Sequence, residues 1–459
     1  MHVALLLDFG STYTKVVAVD LDAVRLLGTA QAPSTVESDV TVGLREALAG
    51  LAARGVPTRD PALLLGSSSA AGGLRMVALG MVPALTVEAA RRAALGAGAK
   101  VIKVYGYKLS LVEVAELEAL APDVILLAGG TDGGDSDTIL TNARALAATA
   151  LSAPVVVAGN KSVSAAVVGL LQEAGKDARL TENVLPELHR LNVERAQRLI
   201  REIFIERIVE AKGLDRVRRQ VADIIMPTPM AVLRATELLA DGPPGAGGLG
   251  EVMVVDIGGA TTDVHTVASG APTVAGAVLK GLPEPRTKRT VEGDLGLRVN
   301  AASVLETAES AGLLDGFRLG ADRLPAMVER LARETAMVPE TDQDHALDAA
   351  LAAVACGVAT DRHAGWVEEV WTVHGKVCVQ YGKDLRALPT VVGTGGIFAY
   401  GRHGREVLAA ATRGDPLRLK PAQPRFYIDR RYIMYAAGLL AERHPTVAYK
   451  VLADNLVEV

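Results

Sequence analysis

Short apolar runs that end in an acid, a glycine or a small hydroxyl residue recur along this chain. The first is Val3–Leu7, closed by Asp8-Phe9-Gly10-Ser11-Thr12 and followed by Val16-Val17-Ala18-Val19. Branched, continuous runs of this length predict buried strands, and the small residues between them predict a hairpin. From about Pro61 the pattern alternates. Leu63–Leu65, Lys100–Tyr105, Asp123–Ala128 and Val155–Ala158 read as strands. Thr86–Leu95, Val112–Leu120 and Asp137–Ala148 read as helices, and a charged amphipathic helix is expected from Asn192 to Lys212. This rhythm predicts a parallel sheet inside the N-terminal half.

The Pro/Gly-dense stretch Asp241-Gly242-Pro243-Pro244-Gly245-Ala246-Gly247-Gly248 can hold neither helix nor strand. We place the domain boundary there: residues 1–243 form one half, with an insertion at about 61–190, and residues 244–459 form the other. Val252–Asp256 restarts a strand and Asp263–Val267 returns antiparallel. The second half thus opens as the first does, which points to a remote internal duplication.

Composition narrows the class. A chain of 459 residues exceeds one core, and 49% apolar residues with 3% aromatics implies interiors built on Ala, Val, Leu and Ile. The net charge of −5 lacks the basic face of a dedicated nucleic-acid binder. Cys356 and Cys378 stand apart, so neither a disulfide framework nor a zinc site is expected, and a reducing cytoplasm fits. The opening residues do not read as a signal peptide, and no apolar run is long enough to span a bilayer. No membrane role is expected.

Three glycine-rich turns carry the candidate chemistry. In the first, Gly10, Ser11 and Thr12 let backbone amides approach phosphate oxygens, and Lys15 supplies a point charge. Asp8, beside phosphates, calls for a divalent cation; the expected role is to hold Mg²⁺ through water. The second turn, Asp256-Ile257-Gly258-Gly259-Ala260-Thr261-Thr262-Asp263, repeats the logic. Asp256 is expected to order metal-bound or attacking water. Asp263 is expected at the nucleotide or in turn stabilisation. The third turn, Gly393-Thr394-Gly395-Gly396, offers bare backbone to a base and ribose. Asp8 and Asp256 are therefore the candidate catalytic and metal residues. A further turn, Gly129–Gly134, precedes the expected helix at Asp137. It reads as a tight βα connection capped by Asp132 and Asp135, with an anion site as the alternative.

In this order the turns resemble the actin, Hsp70 and sugar-kinase ATPase superfamily, with Ile433–Leu439 as the final helix. That resemblance implies an α/β fold: two actin-like (ribonuclease H-like) domains around a nucleotide cleft, with an α/β insertion in the N-terminal half. A narrower resemblance rests on Gly66-Ser67-Ser68-Ser69-Ala70-Ala71-Gly72-Gly73-Leu74-Arg75-Met76, Ala128–Gly134, Asn183-Val184-Leu185-Pro186 and Asp256–Asp263. These look like the MutL-type accessory proteins of glutamate mutase, which are unrelated to the mismatch-repair protein sharing that name. The family implies a chaperone-like, slow ATPase that reactivates an adenosylcobalamin-dependent mutase or aminomutase. ATP and Mg²⁺ are the implied cofactors. A small-molecule kinase of the sugar type, or a scaffold that binds nucleotide without hydrolysis, would use the same cleft.

Other signals point elsewhere. Gly245-Ala246-Gly247-Gly248-Leu249-Gly250 matches GxGxxG but precedes a strand, so it reads as linker. No GxxxxGK[ST] occurs. Asp263-Val264-His265 begins like a cobalamin-ligating DxHxxG, yet Ala268 stands where that motif needs glycine, so no directly ligated cobalamin is expected. His345, His363, His374 and His403 are too scattered for a metal site. Cys356 lies in a run that reads as a buried helix, which argues against an exposed iron–sulfur cluster.

Overall fold

The computed structural model describes residues 1–10, 12–35, 39–69, 74–211, 223–311, 313, 324–373 and 375–459, and the backbone alone of residues 40, 208–211, 223–225 and 372. Expectations for Ser11, Ala70–Gly73, Lys212 and His374 fall outside these residues. The first half opens with β1 (Val3–Phe9), β2 (Tyr13–Asp20), β3 (Arg25–Pro33), α1 (Val40–Ala52) and β4 (Leu63–Ser68). It resumes with β10 (Asp223–Pro227) and α7 (Thr228–Asp241). Its sheet runs β10-β4-β1-β2-β3, with β1 antiparallel to β2 and parallel to β4.

The second half contains β11 (Val252–Ile257), β12 (Thr262–Val267), β13 (Val278–Lys280), β14 (Thr287–Glu292), α8 (Ala301–Ser310), α9 (Leu324–Arg333) and α10 (Asp342–His363). There follow β15 (Trp366–Thr372), β16 (Gly375–Tyr381), β17 (Thr390–Thr394), α11 (Gly396–Tyr400), α12 (Gly404–Ala409), β18 (Arg425–Asp429), α13 (Met434–Ala441), α14 (Pro445–Asn455) and β19 (Leu456–Glu458). Its main sheet runs β14-β12-β11-β17-β18-β19. Read as β18-β17-β11-β12-β14, this is the order of the first sheet, with the same parallel and antiparallel pairings. The duplication suggested by two short motifs is thus a duplication of whole sheets. This repeated α/β plan is the actin-like one. β13, β16 and β15 form a separate three-stranded sheet.

A cut at residue 243 divides the chain but not its interior. One core joins Ala4, Leu6, Val17 and Val19 of the first sheet to Val252, Val254, Val267 and Val392 of the second, through α7, α13 and α14. A second core fills the outer face of the second sheet beneath α8, α9, α10 and α12. The helices α7 and α13 pack closely because Gly438 presents no side chain to Ala231.

The insertion forms its own compact unit, Gly72–Ala211 with Gly281–Pro283. It contains β5 (Arg75–Gly80), α2 (Glu88–Gly96), β6 (Lys100–Gly106), α3 (Leu111–Leu120), β7 (Val124–Leu127), α4 (Asp137–Ala147), β8 (Val155–Val157), α5 (Lys161–Glu173), β9 (Ala178–Leu180) and α6 (Glu194–Ala211). The all-parallel order β6-β5-β7-β8-β9 is doubly wound. A boundary near 61–190 differs at both ends. Leu63–Ser68 pairs with β1 and so belongs to the first sheet, and α6 carries the unit past residue 190. Among the described residues, no helix is long and apolar enough to cross a membrane.

A Cβ at position 438 would fall 1.8 Å from the Ala231 carbonyl oxygen. Gly438→Ala should therefore force α7 and α13 apart despite alanine's better helix propensity. The expected loss is roughly 1–3 kcal/mol, read as a lower urea midpoint.

Candidate functional site

Alternation along the central strands builds the site. In β1, Ala4 and Leu6 enter the shared core, so Asp8, two residues on, faces the same way. The same step takes β11 from Val252 and Val254 to Asp256, β4 from Leu65 to Ser67, and β17 from Val392 to Thr394. Lys15 precedes Val17 and Val19 on β2, and Asp263 shares a face with Val267 on β12. The apolar interior thus turns polar at one end of the strands, where both hairpins lie.

The hairpins are matched. Asp8 opposes Lys15 and Asp256 opposes Asp263. Gly10 N–H donates to Tyr13 O at 3.0 Å, and Gly258 N–H to Thr261 O at 2.9 Å. A Cβ at Gly10 would meet Tyr13 O at 2.7 Å, so that turn needs glycine. The two turns approach each other: a Cβ at Gly259 would lie 3.8 Å from Thr12 Oγ1 and 3.5 Å from Arg298. Tyr13 Oη also donates to Ala336 O at 3.3 Å, tying the first hairpin to the second half. Among the described residues, the Gly259, Ala260 and Thr261 amides donate to no backbone carbonyl.

The paired carboxylates have different environments. Asp8 is fully buried and accepts from Lys15 Nζ at 2.7 Å, Ser67 Oγ at 3.2 Å and Thr228 Oγ1. This qualifies the expectation of a water-mediated metal ligand: Asp8 presents no surface, and a hydrated cation reaches it only if Lys15 is drawn away. Lys15, expected on phosphate, is here the partner of Asp8. The acid beside it and the Tyr432 and Tyr435 hydroxyls raise its pKa, outweighing the larger opposing effect of burial. Asp263 is buried and ion-paired with Arg289, at 2.8 Å to Nε and 2.6 Å to Nη2, and accepts from Thr261 Oγ1 at 3.2 Å. That pairing offsets the like charge across the rung from Asp256 and makes Asp263 a structural group. Thr262 is likewise buried, donating to Leu295 O at 2.7 Å.

Asp256 is half-buried and accepts no hydrogen bond from any described residue. Burial, then Asp263, push its carboxyl up to about 7; Lys15 opposes this, while Asp8 and Asp429 add to it. Asp429 was not singled out from sequence. It is buried at the end of β18, where it accepts from Thr394 Oγ1 at 3.0 Å and from the Ile433 and Met434 amides at 3.0 and 2.8 Å. Burial raises its pKa against those hydrogen bonds. Its signal was present: Phe426-Tyr427-Ile428-Asp429 is another apolar run closed by an acid. Thr228, between Pro227 and Pro229 at the start of α7, was signalled only as a helix start.

The third turn divides its glycines between packing and access. Gly393 accommodates the Phe398 ring, which would lie 2.7 Å from a Cβ, and Gly395 (φ 104°) lies against Ile257 O, 2.3 Å from a Cβ. Gly396 faces open space. A pocket lined by Arg298, Met327, Leu331, Met337, Leu347 and Asp348 lies beside the second hairpin, joined to it by Arg298. Arg298 is fixed by a two-pronged pair with Asp348 at 2.9 and 2.7 Å.

Among the described residues, no three His, Cys, Asp or Glu side chains form a ready metal cage. His265 is fully buried, and neither ring nitrogen has a partner among the described residues; His363 is held between Thr266 and Thr290. Cys356 is buried in α10, and burial pushes its thiol up to about 12. In the insertion, the Gly129–Gly134 turn is held from within. Asn160 bonds Gly133 N–H and the Gly134 and Asp135 carbonyls, Asn183 bonds Gly130 O and Asp132, and Asp135 caps Thr138.

Because Asp256 binds its proton more tightly in the fold than near the ordinary 3.8, folding takes up a proton between about pH 4 and 7. This group's contribution to stability falls as pH rises through that window. Asp256→Asn should stabilise the ligand-free protein by roughly 1–2 kcal/mol at pH 8, with the gain shrinking at pH 5. Denaturation midpoints at the two pH values check the sign.

Comparison with known proteins gives one family. The model of the MutL protein family matches residues 4–456. Protein MutL of Clostridium tetanomorphum is 46% identical over 463 residues, covering 100% of both chains. Among solved structures, a glycerol dehydratase reactivase aligns at 11% identity and TM-score 0.37, over 96% of this chain and 99% of its own. Xylulose kinase from Lactobacillus acidophilus aligns at 10% identity and TM-score 0.35, over 100% and 93%. On its full-length identity and family match, the chain belongs to the MutL protein family.

Proposed function

We propose that this protein is an ATP-dependent reactivating factor that helps an adenosylcobalamin-dependent mutase, such as glutamate mutase or an aminomutase, exchange damaged cobalamin. The family match supports the accessory role. The observation that supports the ATP reading is the approach of two matched hairpins, Thr12 to Gly259, at the strand ends that carry Lys15 and Asp256, where the proposed nucleotide chamber would lie.

The chamber's chemistry fits a magnesium polyphosphate. The Asp256 carboxylate accepts from no donor among the described residues and sits in a crowd of acids, which a cation would relieve. The second hairpin has amides available to phosphate oxygens. We assign phosphate contacts to Gly10, Thr12, Lys15, Gly258, Gly259 and Thr261, and the nucleoside to the exposed backbone at Gly396. Asp256 is the principal cation-side carboxylate, and Asp8 acts behind it once Lys15 has exchanged partners. Bound Mg–ATP supplies the anhydride to be cleaved and the charge that neutralises it. Asp256 orders the attacking water and accepts its proton. Closure of the chamber changes the angle between the actin-like halves, which opens the partner enzyme. Two free cysteines suit the reducing cytoplasm.

Purified protein should release phosphate from ATP slowly, and faster when a cobalamin-dependent mutase carrying damaged cofactor is added. Asp256→Asn should lower turnover roughly 10²-fold or more while ATP binding persists. Stimulation by a sugar or polyol would show a kinase instead. Calorimetry detecting no adenine-nucleotide uptake would end this reading.

A further inference from the structure

The ammonium of Lys15 has an aromatic seat opposite its acid. Lys15 Nζ lies 4.4 Å from the centre of the Tyr432 ring and 5.7 Å from that of Tyr435, while Asp8 Oδ2 holds it at 2.7 Å. Tyr435 is buried in α13, and its hydroxyl has no hydrogen-bond partner among the described residues.

Tyr432 reaches this position under strain. Its φ is 54°, in the left-handed region that disfavours an aromatic side chain. The surroundings impose that conformation. Asp429 accepts from the amides of residues 433 and 434, and Tyr432 N–H donates to Asp429 O at 3.2 Å. Arg430 anchors the same turn by donating to Phe398 O at 3.1 Å and Gly401 O at 2.8 Å. A turn that needed only a left-handed residue would be better served by glycine or asparagine. A tyrosine here places a ring face on a lysine.

We propose that Tyr432 is a positioning residue that fixes the reach of Lys15 while the lysine exchanges the Asp8 carboxylate for an anionic ligand. A carboxylate seat alone would compete with phosphate for the ammonium. A flexible four-carbon stem without a seat would lose rotamer freedom on every capture. A ring face attracts the cation without claiming a particular proton of it, so it can stay in place while the acceptor changes. It also links the phosphate lysine to α13, the helix packed on α7 in the shared core. This inference rests on the assignment of Lys15 to phosphate.

Three variants and two readouts test it. Tyr432→Phe keeps the ring, Tyr432→Leu keeps bulk without it, and Tyr432→Gly removes the strain as well. In the ligand-free protein, the ¹³C-labelled ε-methylene of Lys15 should show a ring-current upfield shift, kept in Tyr432→Phe and lost in the other two. ATP binding by calorimetry should stay within about twofold for Tyr432→Phe and weaken roughly 3- to 10-fold for Tyr432→Leu and Tyr432→Gly. A purely structural Tyr432 would leave Tyr432→Gly more stable with unchanged ATP affinity. Unaltered affinity in Tyr432→Leu, with affinity lost in Lys15→Ala, overturns the positioning role and spares the ATP reading. Unaltered affinity in Lys15→Ala overturns the phosphate assignment and this inference with it. A missing ring-current shift in the wild-type chain overturns the seat itself, whatever ATP does.

Discussion

One lysine held against one buried carboxylate sets the terms for the rest of the site. Asp8 and Lys15 face each other across a single rung of the first hairpin, at the point where the inward face of the sheet changes from Ala4 and Leu6 to polar groups. An ion pair so enclosed is held only where its remaining hydrogen-bonding capacity is met. Ser67 and Thr228 meet it on the acid side, and the Tyr432 ring covers the lysine. Those residues come from β4, α7 and the turn before α13, so the pair recruits elements from both halves.

The second hairpin repeats the backbone and inverts the electrostatics. Where Lys15 stands in the first, Asp263 stands in the second, and its charge is neutralised sideways by Arg289 from β14. Among the described residues, no cation pairs with Asp256. The duplication thus yields two unlike sites: one carboxylate closed by lysine, the other crowded by acids and open to a ligand or to water. A closed first carboxylate and an open second one together suit a phosphate-and-cation site better than two equal acids would.

The shared core explains how such a site can be coupled to movement. The inner faces of both sheets pack on α7, α13 and α14, and Gly438 lets α7 and α13 approach to backbone contact. Thr228 begins α7 and bonds Asp8; Asp429 caps the turn into α13 and adds to the charge around Asp256. Two of the helices that fill the interior therefore each start beside the Asp8, Lys15 and Asp256 side chains. Under the proposed ATP reading, a rearrangement of acceptors there would act on the contact between the halves.

The two hairpins, the first strand of each half and the buried helical run Leu351–Ala355 beside Cys356 were legible in the sequence. Each rests on a local pattern: a buried apolar run, a turn that only small residues can make, or a helical period. The family, too, could be read from short motifs. The sequence reading put Leu63–Leu65 in the insertion, whereas β4 pairs with β1, because a parallel partner sixty residues away leaves no local trace. It did not show that Gly393 accommodates a phenyl ring while Gly396 faces open space, since all glycines read alike until their neighbours are known. Nor did it show that Asp8 and Lys15 neutralise each other, that Arg289 neutralises Asp263, or that Asp429 and Tyr432 belong to the site. Charge pairing and burial are set by which strands lie side by side, and only the folded chain fixes that.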